Sequence, residues 1–97
     1  MPLFKVTVRG RGLWIDIDGD VQRVGFRVTR VVEAEDVRRA ERKAITLVRK
    51  DRKARPLPGT RSPTLTVERI VRTRSAPAVD AGFMFFPDGY RERGGSK

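Results

Sequence analysis

The chain has 97 residues and a formal net charge of +10, and it contains neither cysteine nor histidine. That length supports one core and one domain; the missing thiols exclude disulfides and thiolate metal sites and fit a reducing, cytoplasmic setting. The missing imidazoles remove the usual general base and the commonest transition-metal ligand, so the composition leans away from catalysis and implies no cofactor.

Phe4, Val6 and Val8 alternate with Lys5, Thr7 and Arg9, the period of a strand with one buried face. Arg9-Gly10-Arg11-Gly12 offers two residues able to take positive φ and predicts a tight reversal, after which Leu13, Ile15 and Ile17 alternate with Trp14, Asp16 and Asp18 in a second strand. A single Arg-Gly-Arg-Gly copy in that place reads as a turn rather than as an RNA-binding repeat. Asp18-Gly19-Asp20 is a second turn signal; with Asp16 it lacks the glycine position and the bidentate glutamate of a calcium loop, so no metal site is expected. Val24, Phe26, Val28 and Val32 then recur at even positions in a third strand, with a bulge expected near Arg30, where the alternation breaks.

From Asp36, a candidate N-cap, the period changes to 3.6 and predicts a helix over residues 36–50. Val37, Ala40, Ala44, Leu47 and Val48 share one face with Ile45 at its margin, and two basic ridges, Arg38/Arg42/Arg49 and Arg39/Lys43/Lys50, fill the other. Residues 51–63 carry three prolines and one glycine and are expected to form a mobile basic loop. Residues 64–73 read as a fourth strand whose apolar set Leu65, Val67 and Ile70 slips parity, implying a bulge. Phe83-Met84-Phe85-Phe86 is a short fifth strand halted by Pro87, and residues 91–97 read as a disordered tail.

The expected fold is α+β, in the order β-β-β-α-β-β: residues 1–90 form one domain, with one amphipathic helix on one face of an antiparallel sheet of about five strands. This is a sandwich related to the ferredoxin-like folds with one helix fewer. No apolar run approaches the ~20 residues of a membrane span, and residues 1–11 lack the layout of a signal peptide.

Gly19-Asp20-Val21-Gln22-Arg23-Val24-Gly25-Phe26-Arg27 resembles the phosphate-binding signature of the acylphosphatase family, G-x-V-Q-G-V-x-F-R. The resemblance implies a loop whose amides cradle a phosphoryl group, with Arg27 binding its charge. In this chain Arg23 stands at the loop's central glycine, and the β-branched run Val28, Thr29, Val31, Val32 follows where the family begins a helix. No asparagine is present to position an attacking water. The stretch is therefore read as a strand and the domain as non-enzymatic. A second set of residues, Val24 to Ala34, the Ala40/Ala44 helix, Leu65-Thr66-Val67-Glu68 and Gly82 to Asp88, is similar to small bacterial α+β proteins to which no activity is assigned. That likeness implies a shared core and no site.

Charge is the most informative signal. Residues 1–36 hold six basic and six acidic side chains and residues 63–97 six and four, whereas residues 37–62 hold ten basic ones against Glu41 and Asp51 alone. Arg38, Arg42, Lys43, Arg49, Lys50, Arg52, Lys53 and Arg55 are the candidates for contact with phosphates or carboxylates, as guanidinium forks and point charges. With no interleaved aromatic residue and Gln22 as the sole glutamine, nucleic-acid contact would be salt-sensitive and largely independent of sequence. The alternative is a module that binds an acidic protein or its own copy. One helix cannot cover five strands, so the uncovered sheet or its last edge, with Trp14, Phe83 and Phe85, offers a homodimer contact. Membrane binding is not expected, because the Ala- and Val-rich helix face is needed by the sheet.

Overall fold

A computed structural model of the chain describes residues 1–77 and 81–88; the predicted tail 91–97 and the last two residues of the predicted domain lie outside them. In chain order the elements are β1 (Leu3–Ile17), β2 (Asp20–Glu33), α1 (Val37–Lys50), a short 3-10 helix (Arg52–Ala54), β3 (Thr64–Thr73) and β4 (Met84–Pro87). The strands form one antiparallel sheet in the order β3-β1-β2-β4.

The sheet thus has four strands and not five, because the first two predicted strands are one continuous 15-residue strand. Arg9-Gly10-Arg11-Gly12 does not reverse the chain. Gly10 pairs with Phe26 on one side and Leu65 on the other, and the register with β2 shifts only between Gly10 and Leu13. The residues that looked like a hairpin form a bulge, with Gly12 at φ 75°. Gly10 is there for space: a Cβ at this position would lie 2.2 Å from the Phe26 ring, so the ring occupies the place a side chain would take. Partners on both sides outweigh a local preference for turning.

The bulge has a packing consequence. Directly paired residues share a face, so Phe4, Val6 and Val8 before it and Leu13 after it all lie with Val24, Phe26, Val28 and Val32 on one side of the sheet. The reversal comes at Asp18-Gly19, the other turn signal, where φ values of 52° and 86° match the primed turns that join twisted strands. The bulge expected at Arg30 is absent, since β2 stays in step with β1 through Val6↔Arg30. The expected bulge in β3 is present at Glu68, between Val67, paired with Val8, and Arg69, paired with Thr7.

Helix α1 starts where its cap predicts: the Asp36 side chain accepts a hydrogen bond from the Arg39 amide at 2.8 Å. It lies on the apolar sheet face through Ala40, Ala44 and Val48, while Val37 and Leu47, expected on that face, are each 48% exposed. The contact is narrower than the apolar stripe because two alanines let the helix backbone approach closely. After the helix, residues 51–63 are anchored at several points. Ala54 is buried, the Leu57 amide donates to the Trp14 carbonyl at 3.1 Å, and the Thr60 amide donates to Leu57. The Trp14 carbonyl is available because β3 pairs with β1 only as far as Arg11. Among the described residues no helix is long and apolar enough to cross a membrane.

Candidate polyanion-binding surface

The helical period places Arg38, Arg42 and Arg49 on one exposed ridge of α1 and Arg39, Lys43 and Lys50 on the next. The structure shows where each ridge looks. Arg38 and Arg42 border a shallow groove facing β3, with Ile45, Leu65 and Val67. Arg39, Lys43 and Lys50 border a second groove of about 780 Å³, floored by Val31, Ala34 and Leu47. Arg42 touches both grooves and marks the crest between them.

The cations differ in what already holds them. Arg39 Nη1 lies 2.5 Å from Glu35 Oε1 and 3.3 Å from Asp36 Oδ2, and Lys43 Nζ donates to the Glu33 carbonyl. Among the described residues, the side chains of Arg38, Arg42, Arg49, Lys50, Arg52, Lys53 and Arg55 form no ion pair or hydrogen bond, and all seven are exposed. Of the eight candidate residues, only Lys43 is partly engaged. Acids neutralise the N-terminal end of α1, so the unbalanced charge centres on its C-terminal half, where the helix dipole also favours cations.

The junction between α1 and the 3-10 helix is organised by two residues that the sequence reading passed over. The Asp51 amide donates to the Val48 carbonyl at 3.0 Å and closes α1. Its Oδ1 accepts from the Lys53 amide at 2.9 Å and caps the 3-10 helix, and its Oδ2 accepts from Arg30 Nη2 at 3.3 Å. Arg30 is only 9% exposed: its Nη1 donates to the carbonyls of Ala81 at 2.6 Å and Thr29 at 2.9 Å, and its guanidinium stacks 5.6 Å from the Phe83 ring. The available signals were a charged residue in the apolar even-numbered row of β2 and the one acid among residues 49–55.

Trp14, Phe83 and Phe85 are not brought together. Phe83 and Phe85 stack at 5.6 Å and pack on Phe26, which lies on the helix side of the sheet. Trp14 pairs with Arg23, three residues from Phe26 and so on the opposite face.

That opposite face carries Arg9, Arg23 and Arg27 in a different electrostatic state. Arg27 grips Glu68 with two hydrogen bonds, at 2.6 and 3.1 Å, and Arg9 lies 3.6 Å from the same carboxylate and 5.4 Å above the Phe86 ring. The hydrogen bonds from Arg27, before any other cause, hold the Glu68 carboxyl below its ordinary range. Arg23 pairs with Asp88 at 3.0 Å, and Asp88 also accepts from the Gly12 amide at 2.9 Å. Residues 20–27 are strand, paired with β1 except at Gly25, which lies opposite the bulge, and with β4 from Val24 onward. Among the described residues no cluster of acids could hold a metal ion. No protein-family model, curated protein or solved structure matches the chain.

Proposed function

We propose that this is a small non-enzymatic domain whose helix and following loop bind nucleic acid, or another polyanion, with little discrimination of sequence. The observation that carries the reading is the set of seven exposed cations, Arg38, Arg42, Arg49, Lys50, Arg52, Lys53 and Arg55, without side-chain partners among the described residues. A face serving solubility alone works with both signs of charge mixed, as on the far side of the sheet. Here one sign dominates, and such a surface gains affinity by releasing the counterions of a phosphate chain. With no asparagine in the chain and Gln22 on β2, the surface has no amide side chain for paired contacts to adenine, and backbone contact is expected. A cytoplasmic setting belongs to the same proposal, supported by the absence of cysteine. So does a relation to ferredoxin-like sandwiches and to the small bacterial α+β proteins, supported by one helix packed on an antiparallel sheet.

The test is fluorescence anisotropy with labelled oligonucleotides at low and near-physiological salt, using the native chain and Arg38→Glu/Arg42→Glu/Arg49→Glu. Binding that weakens steeply with salt and is lost in the variant supports the reading. No binding at low salt defeats it.

A second reading, a module that binds an acidic partner or its own copy, is favoured by the β4 edge. Met84 is 63% and Phe85 40% exposed on a strand of four residues. Sedimentation of Phe85→Asp against the native chain separates the two, because this change should dissociate a dimer and leave anion binding intact.

A further inference from the structure

Two groups of cations meet at Asp51. Arg38, Arg42 and Arg49 form a straight ridge on α1, roughly 16 Å long at 1.5 Å of rise per residue. Arg52, Lys53 and Arg55 continue on the 3-10 helix and its exit. A chain leaving a helix can ordinarily take many directions, which would leave the second group unplaced relative to the first. Here Asp51 fixes the direction at the junction, and the buried Ala54 and the Leu57 amide bonded to Trp14 anchor the chain beyond it. Asp51 closes α1 through its amide, caps the 3-10 helix through Oδ1 and is held through Oδ2 by Arg30, which is itself fixed by two carbonyls and the Phe83 ring. As one of only two acids among the residues 37–62, Asp51 weakens the field of the surface it sits in. What it supplies is geometry.

We propose that Asp51, clamped by Arg30, joins the cations of α1 and the 3-10 helix into one rigid rail that fits the phosphate backbone of a double-stranded nucleic acid. The inference rests on the polyanion reading above. A duplex presents phosphates in rows already fixed, so a preset row of cations meets it without ordering the partner. A single strand must be ordered on contact, and proteins that bind it offset this by stacking bases on aromatic rings. Among the described residues, no aromatic side chain lines either groove beside α1 or the hollow at Asp51, Arg52 and Lys53. Asp51 is a positioning residue: it repels the phosphates and arranges the groups that attract them.

The experiment measures affinity for a DNA duplex, an RNA duplex and a single strand of equal length, for the native chain, Asp51→Asn and Asp51→Ala. Both variants lose the same negative charge, but Asn keeps an oxygen able to cap the 3-10 helix. If charge alone governs, both bind the duplex equally, and more tightly than the native chain. The rail predicts that Asp51→Ala binds the duplex about tenfold more weakly than Asp51→Asn, with the gap narrowing as salt rises between about 50 and 200 mM. If Asp51→Ala does not fold, Arg30→Lys takes its place; it preserves net charge but not the two-nitrogen grip, and a severalfold weaker duplex affinity is expected. Equal affinities for the Ala and Asn variants, or an unchanged Arg30→Lys, overturn the inference while leaving polyanion binding in place. So does a native single-strand affinity that matches the duplex, since the expected preference is about tenfold at equal salt. Failure of the native chain to bind any of the three at low salt removes the polyanion reading itself.

Discussion

The helix side and the far side of the sheet are both rich in arginine, yet they present opposite electrostatic situations. On the far side Arg9 and Arg27 converge on Glu68, and Arg23 meets Asp88. These charges come from strands brought side by side, and their partners lie dozens of residues away in the chain. On the helix side, Arg38, Arg42 and Arg49 project from one continuous element; the acids just before it, Glu35 and Asp36, engage Arg39 instead, and Glu41 is the one acid within it. Arg9, Arg23 and Arg27 are therefore used in closing the fold, whereas Arg38, Arg42 and Arg49 are available for something else. Arginine content by itself does not separate the two.

The strongest way to break this comparison is to reverse the helix ridge. Arg38→Glu/Arg42→Glu/Arg49→Glu should weaken duplex binding by a hundredfold or more at about 50 mM salt while leaving urea unfolding nearly unchanged. A large loss of stability would mean that the ridge is part of the fold after all. Next in size is the strand that carries both faces. Gly10→Ala places a Cβ against the fully buried Phe26 ring and should cost about 1–3 kcal/mol in urea unfolding; a neutral result would show that the ring can move aside.

A smaller effect is expected at Glu68. Its carboxyl is held below the ordinary value of 4.5, first by the hydrogen bonds from Arg27. A carboxyl with a lowered folded-state pKa binds fewer protons than in the unfolded chain, so its contribution is complete above the ordinary value and is lost as pH falls through the folded one. Because the pair is partly exposed, Glu68→Gln should cost no more than about 1 kcal/mol at neutral pH, with the gap to the native chain closing in acid. A gap that persists through acid pH would show that the carboxylate charge is not what the site uses. The same variant should bind polyanions slightly better, since it removes one negative charge from the open face. The smallest expected signal is none: the native chain should not hydrolyse acyl phosphates above background. Hydrolysis that disappears in Arg27→Ala would reinstate the phosphate-loop reading of residues 19–27.

Much of the architecture was legible in local signals. The helix, its Asp36 cap, the two basic ridges and the bulge in β3 all follow from spacing within a few residues, the range over which periodicity and capping act. Arg9-Gly10-Arg11-Gly12 was misread because its local chemistry suits a turn equally well, and only pairing with β2 and β3 together makes it a bulge. The separation of Trp14 from Phe85 was hidden for the same reason, because the parity of β1 depends on that bulge.

By itself, then, the sequence determined the helix, the alternating apolar rows and where positive charge accumulates, since those depend on residue type and near neighbours, but not that the first two rows belong to one strand. The tertiary structure alone decided which charges are already matched. Glu68 reaches Arg27 across 41 residues, and Arg30 reaches Asp51 across 21. Such pairs are set by strand order and helix placement, which no short window of residues encodes.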